Sequence, residues 1–294
     1  RANRYDWQIS MIRDIMSAGG DGRMHILTPD LTTPGLTEKV GDCTFLLFPG
    51  GETMLIDSGV EGAGDRVLSF IDDLGLSRLD YFVLSHPHGD HVGNALRIAR
   101  ILYEEKGGGI GSYWYYGYRF RVKEPALREY LAERGTEIRL ALRAGDVEKV
   151  GDVTVEFFNP TDELLENLPD EGDVSINATS LVMKFVYGRS SYLTCGDLYV
   201  RDEEELASRY GSRLRADVLK ADHHGLFTSN SSLWTGTISP KLIVAENADV
   251  GDSLLMEQAN RKGVAWVSSG RMGLITVSFG REGEYELITP RDSR

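Results

Sequence analysis

Apolar positions in this chain cluster in short runs that alternate between two periods. RMHILTP (23–29), CTFLLF (43–48) and TMLIDSG (53–59) are compact β-rich stretches, and PGGE between the last two is a turn signal. DRVLSFIDDL changes period: Val67, Leu68, Phe70, Ile71 and Leu74 recur as one face of a helix. DYFVLS (80–85) is then a buried strand, GNALRIARIL a helix, SYWYYGY (112–118) an aromatic strand and EPALREYLAER a helix. Strands over 137–142 and 152–158 precede a loop over 159–176.

The second half repeats this grammar. SLVMKFVYGRSSYLTCGD is a hairpin, DEEELASRY a helix and ADVLKADHHG a strand. A helix near 230–234, strand KLIVAE, helix SLLMEQANR and strands VAWVSS, GLITVSF and EYELIT follow. Both halves run hairpin, Asp beside Gly or Ser, helix, then a strand ending in histidines. Neither half buries its sheet alone, so the pattern predicts two similar α/β halves facing each other in one domain over 23–294. YDWQISMIRDIMSA, stopped by Gly19 and Gly20, predicts a helical extension within 1–22.

The 294 residues are ample for a large core, and no run of 18 apolar residues suggests a membrane span. The net charge of −13 opposes polyanionic partners at long range. Cys43 and Cys195 are too few for a disulfide framework and read as buried free thiols. The chain starts with Arg, so its location is open: cytoplasm is the preferred reading, with secretion allowed if a leader was removed. Oligomeric state is not legible.

Half of the six histidines fall in SHPHGDHVGN (85–94). His86 and His88 leave the strand end on one side, and Asp90 and His91 follow in the turn that starts the next helix. One loop thus aims three imidazoles and a carboxylate at one small volume, the preferred donors of Zn²⁺, Mn²⁺ or Fe²⁺. Downstream, Asp197 ends a strand in TCGD, and His223 and His224 end another in DHHG.

In combination, H-x-H-x-D-H, G-D and H-H-G resemble the metallo-β-lactamase-fold hydrolases over most of 23–290. The resemblance implies a four-layer αβ/βα sandwich with a dinuclear metal site between the sheets. His86 and His88 would hold one ion, Asp90, His91 and His224 the second, and Asp197 would bridge both, with a hydroxide between the ions as nucleophile. Two divalent ions are implied, Zn²⁺ first, with Mn²⁺ or Fe²⁺ admitted by the same donors. Asp57 in LIDSG matches the family's early strand-end Asp, and Ser85 and Asn177 are placed with it around the ligands.

Most members carry a further histidine before the second hairpin; here Asn177 stands near that position. This departure sets the chain apart from the β-lactamase, glyoxalase II and lactonase branches. NATSLV (177–182), TCGD and DHHG instead resemble the branch of the teichoic-acid phosphorylcholine esterase and the metallo domain of DNA-uptake competence proteins. That resemblance makes His224 the ligand and leaves His223 as a proton donor or oxyanion contact, beside Asp90 and Asp197 as catalytic groups.

The expected activity is metal-dependent hydrolysis of a phosphodiester or related ester on a small or cell-wall molecule. A competence-like nuclease ranks second, and a metal-binding protein without hydrolase activity third. No Lys or Arg occurs from 161 to 183, while Asp162, Glu163, Glu166, Asp170, Glu171 and Asp173 do; the resemblance implies that this segment lies near the pocket mouth, where it would form an acidic rim unsuited to a nucleic-acid backbone. Trp114 and Tyr116, with Asn177 and His223, are candidate substrate contacts, the rings offering cation–π faces to a choline-type phosphoester. Lys220 and Arg271 are further candidates for a phosphoryl oxygen.

Overall fold

The computed structural model describes residues 6–118, 120, 123–247 and 259–290. Strands β1 (Met24–Thr28), β2 (Thr44–Leu47), β3 (Thr53–Ile56), β4 (Arg78–Val83), β5 (Gly109–Trp114) and β6 (Glu137–Arg139) build most of one sheet. Strands β7 (Val147–Val150), β8 (Val153–Asn159), β9 (Val182–Tyr187), β10 (Ser190–Thr194), β11 (Val218–Lys220), β12 (Leu242–Ala245) and β13 (Ala265–Ser268) form the other. The chain then returns to the first sheet with β14 (Ile275–Phe279) and β15 (Tyr285–Ile288). The orders are β15-β14-β1-β2-β3-β4-β5-β6 and β13-β12-β11-β10-β9-β8-β7.

The repeated grammar is real in space. β2 and β3 pair antiparallel, the helix Gly64–Asp73 crosses over, and β4 pairs parallel to β3. Likewise β9 and β10 pair antiparallel, the helix Val200–Tyr210 crosses over, and β11 pairs parallel to β10. Each half therefore delivers its polar motifs at the same end of its parallel strands.

Period-2 alternation sorts side chains between layers. Leu242 and Val244 enter the core shared by the two sheets, while Ile243 and Ala245 point to an outer core with Leu206, Trp234 and Ile238 from helices Val200–Tyr210 and Ser232–Ile238. Phe48 against Phe185 and Trp114 against Phe157 join one sheet to the other, with ring centroids 6.2 and 6.0 Å apart. The result is the expected α/β sandwich of two facing sheets with helices outside them.

The helix Asp6–Ser17 is not a free arm. Ile9 and Ile12 are buried in the main core, and the Thr276 hydroxyl donates to Gln8 Oε1 at 2.7 Å. Residues 159–176, read from sequence as a loop, contain short helices Asp162–Glu166 and part of Asp173–Ala178. The first is started by Thr161, whose hydroxyl accepts from the Leu164 amide at 3.1 Å, a local cap that runs too short to leave a periodic signal. The helix expected over GNALRIARIL is α-helical at Ala95–Arg100 and widens to a π-helical turn over Ile101–Glu105. Most of the helix expected over SLLMEQANR lies outside the described residues. Both cysteines are buried and free.

Candidate metal centre

The site forms where strand ends of both sheets meet. Asp57 follows β3, the histidine loop follows β4, Asp197 follows β10, and the Asp222–Gly225 turn follows β11. Backbone bonds fix the loops: the Leu181 amide donates to Ser85 O at 2.9 Å across the two sheets, and the His223 amide donates to Gly196 O at 3.1 Å between neighbouring strand ends of the second sheet. Asp57, His223 and His224 adopt left-handed backbone, with φ of 62°, 47° and 58°. Such geometry is unfavourable for residues with a Cβ, and here it turns three functional side chains inward. Asn230 holds the turn, accepting from the Asp222 amide and donating to Asp222 O, both at 3.0 Å.

The six side chains expected as ligands converge. His86 Nε2 and His88 Nδ1 stand 3.1 Å apart, and His86 Nε2 lies 3.8 Å from Asp197 Oδ2. His91 Nε2 is 3.2 Å, and His224 Nε2 3.3 Å, from that same oxygen. Asp90 Oδ2 is 3.2 Å from His224 Nε2. Bonds of about 2.1 Å in a tetrahedron separate neighbouring donor atoms by about 3.4 Å, so these spacings fit donors around small divalent ions. Asp197 Oδ1 is buried and has no hydrogen-bond partner, and two ring nitrogens face each other at His86 and His88. Buried polar atoms left this way are costly unless a cation satisfies them.

Behind the ligands stands a layer of carboxylates. His91 Nδ1 contacts Asp57 Oδ2 at 2.8 Å, and His224 Nδ1 contacts Asp42 Oδ1 at 2.7 Å. Each ring therefore donates from Nδ1 and leaves Nε2 free to face the centre. Ser85 donates its hydroxyl to Asp57 Oδ2 at 2.6 Å and its amide to Oδ1 at 2.8 Å, fixing that carboxylate. Asp42 groups closely with His91, Asp197 and His224, yet its contacts are to the rear Nδ1 atoms of the two rings. It orients ligands and is not placed as one.

The electrostatics follow from this. Burial favours neutral rings at His91 and His224, but Asp197 with Asp57 and Asp90, or with Asp42, overrides it and holds both pKa values well above the ordinary histidine value. Burial also opposes ionisation of Asp197, and the His224 and His91 charges reverse that and keep it well below the carboxylate range. His86 goes the other way, pushed well down by burial and by His91. The pocket is thus a carboxylate-rich cavity that demands positive charge, with neutral imidazole available at His86.

Sequence reasoning missed Asp42 and Lys39, and its phosphoryl-contact reading of Lys220 is corrected by the structure. Lys220 is buried, pairs with Asp42 and donates to Gly196 O at 3.0 Å. Burial disfavours its charge, but Asp42 and Asp197 hold its pKa well above normal. It is an internal counter-ion and not a phosphoryl contact. Arg271 packs its guanidinium over Trp266, 5.6 Å from the ring centroid.

The expected aromatic contacts are corrected. Trp114 and Tyr116 are buried, Trp114 packing on Phe157 and Tyr116 bonding its hydroxyl to Thr179 at 2.7 Å, so neither reaches the cleft. The aromatic side chain that does line it is Tyr199, with Glu38, Lys39, His88, Asp90, Asp173 and Asn177 around it. His223 was expected as a proton donor or oxyanion contact. Burial, with Lys39 nearby, pushes its pKa down to about 4, and its Nε2 receives the Lys39 ammonium at 2.8 Å. In this arrangement the ring accepts from Lys39 at Nε2. Asn177 does line the cleft, with its buried Oδ1 unpartnered.

With this geometry in place, similarity to known proteins can be read. Residues 36–244 match the family described as the Metallo-beta-lactamase superfamily. The chain belongs to that superfamily. Among curated relatives, "Competence protein ComA" of Neisseria gonorrhoeae is 28% identical over 236 residues, which is 78% of this chain and 30% of that protein. "ComE operon protein 3" of Bacillus subtilis (strain 168) is 26% identical over 188 residues, 62% of this chain and 22% of that one. The chain thus spans less than a third of the length of either. In structure it resembles the metallo-beta-lactamase fold protein YhfI from Bacillus subtilis, with a TM-score of 0.54 at 15% identity over 90% of this chain and 100% of that one. Among the described residues, no helix is long and apolar enough to cross a membrane.

Proposed function

We propose that this chain hydrolyses phosphodiesters with two divalent metal ions, Zn²⁺ or a similar borderline cation. The observation that carries this reading is the placement of Asp197 Oδ2 within 3.8 Å of the ring nitrogens of His86, His91, His223 and His224. His86, His88 and Asp197 would hold one ion, and Asp90, His91, His224 and Asp197 the other. When bound, such ions supply an acidified water as nucleophile at neutral pH and offset charge on the attacked phosphoryl group.

The chain's own residues do the rest. Asp57 and Asp42 hold protons on the Nδ1 atoms of His91 and His224, so both rings keep one tautomer and orientation. Asn177 offers an amide to the cleft beside His88, and Tyr199 closes another wall. The choline-type substrate loses its supporting observation, because the rings that suggested it are buried.

Likeness to the competence proteins favours a second reading, cleavage of nucleic acid. The acidic rim opposes it: Glu38 and Asp173 line the same cleft as the ligands. A comparison of Zn²⁺- and Mn²⁺-loaded protein on bis(p-nitrophenyl) phosphate, single-stranded DNA and duplex DNA separates the two. Small-diester turnover lost on chelation supports the proposal; DNA cut far faster than the small diester replaces it with the second reading; no turnover of any of the three removes both.

A further inference from the structure

The carboxylates that line the cleft over the centre are Glu38, Asp90 and Asp173, and among the described residues Lys39 is the one lysine or arginine beside them. Lys39 lies in the loop between β1 and β2 and lines two adjoining cavities. One, of about 320 Å³, lies over His88, Asp90, Asn177 and Tyr199. The other, of about 230 Å³, lies over His224, Leu226, Glu246 and Asn247. Glu38 and Lys39 are the residues the two share, so they form the ridge where the cavities meet.

Lys39 makes no ion pair among the described residues. Its ammonium donates to His223 Nε2 at 2.8 Å. That ring is a firm anchor: it is buried, its Nδ1 meets Thr228 Oγ1 at 2.6 Å, and it packs on Tyr199 with centroids 5.2 Å apart. His223 Nε2 also stands 3.7 Å from Asp197 Oδ2, so the ammonium is held one ring-edge away from the carboxylate at the middle of the donor set. An ammonium has three donors; one is on His223, which leaves two directed at the cleft or at water.

We propose that Lys39 is the substrate-contacting cation of this site, binding a non-bridging oxygen of a phosphodiester, with His223 as its positioning residue and the two cavities taking the two ester arms. The assignment rests on the phosphodiester reading above. It explains how an acidic cleft accepts an anionic ester: the fixed positive charge sits at the meeting point of the cavities, where the phosphorus of a diester would lie. A lysine provides a point charge suited to such an oxygen.

The test uses metal-loaded protein with metal content measured for every variant. Inorganic phosphate binding is followed by calorimetry, and kcat and KM are compared for bis(p-nitrophenyl) phosphate and the uncharged p-nitrophenyl acetate. Lys39→Met should weaken phosphate binding and lower kcat/KM for the diester by about 10–100-fold, the range for one charge-assisted hydrogen bond, while sparing the acetate ester. Lys39→Arg should recover part of the loss. His223→Ala should reproduce it in weaker form, and His223→Gln, whose amide oxygen can accept from Lys39, should restore phosphate affinity.

Unchanged phosphate binding in Lys39→Met overturns the assignment, as does an equal loss on both esters. Wild-type protein that binds phosphate through Lys39 yet cleaves no diester leaves the cation assigned and removes the phosphodiesterase reading. Wild-type protein that binds no phosphate removes the cation assignment, whichever esters it cleaves.

Discussion

Asp42 Oδ1 lies 2.7 Å from Nδ1 of His224, a residue 182 positions further along the chain, while Lys220 pairs with the same carboxylate. One buried acid thus orients a ligand of one sheet and neutralises a lysine from that same sheet. Asp42→Ala leaves the Lys220 ammonium buried without its partner, a change that costs about 3–5 kcal/mol. It also removes the rear support of His224, which typically weakens metal binding about 10–100-fold. Urea unfolding and competitive zinc titration of Asp42→Ala should show both losses together.

Gly41 precedes that acid and touches the histidine loop directly. Its φ is +75°, and a Cβ built there would lie 1.7 Å from the Asp90 carbonyl oxygen. The neighbouring Asp42 amide donates to that oxygen at 3.2 Å. Gly41→Ala should therefore destabilise the fold by at least about 2 kcal/mol and displace Asp90 from the centre. Thermal unfolding with and without Zn²⁺ checks it: the stabilisation by metal should shrink along with the melting temperature of the metal-free protein.

Glu246 is buried, accepting from the Cys43 amide at 2.8 Å and from Thr44 Oγ1, and burial together with the Asp42 charge raises its pKa to about 7. The folded state therefore holds a proton that the unfolded state has released above about 4.5. Its contribution is complete below that value and declines as pH rises through about 7, by up to about 3 kcal/mol. Glu246→Gln should flatten that decline. Denaturation of metal-free protein at a series of pH values gives the slope directly, and an unaltered slope in the variant would show that Glu246 is ionised throughout.

Trp114 distinguishes packing from recognition. Trp114→Ala should cost about 3–5 kcal/mol of stability through lost core contacts, with KM for any ester unchanged in the protein that remains folded. A raised KM at full stability would return this ring to the binding surface.

Chelation tests the centre as a whole. Ions that bind the folded chain alone stabilise it by about 4 kcal/mol at a free concentration 1,000 times Kd. Removing them with EDTA should lower the melting temperature, and Asp197→Ala, which strips the carboxylate proposed to bridge the two ions, should melt at one temperature with or without the chelator.

The histidine loop could be read from sequence because its donors are local: a strand end and a helix start place His86, His88, Asp90 and His91 within six positions. Asp197 and His224 were reachable through the resemblance that G-D and H-H-G carry when they follow H-x-H-x-D-H in that order. Asp42 and Lys39 were not. They occupy an aperiodic stretch between β1 and β2, and their partners lie 182 and 184 positions away. Trp114 and Tyr116 misled for a different reason. Alternation distinguishes the two faces of a strand, but here rings on both faces of the segment are buried, Tyr113 and Tyr115 as well as Trp114 and Tyr116. Parity along the chain carries no information about exposure where both sides are covered.

The donor set is spread over the chain in a way that orders its own assembly. A ribosome that has just added His91 must add 106 further residues before Asp197 exists, and His224 follows Asp90 by 134. The proposed donor geometry is complete only once the second hairpin and its following strand have docked on the first half, so any preference among ions that it provides comes after that step.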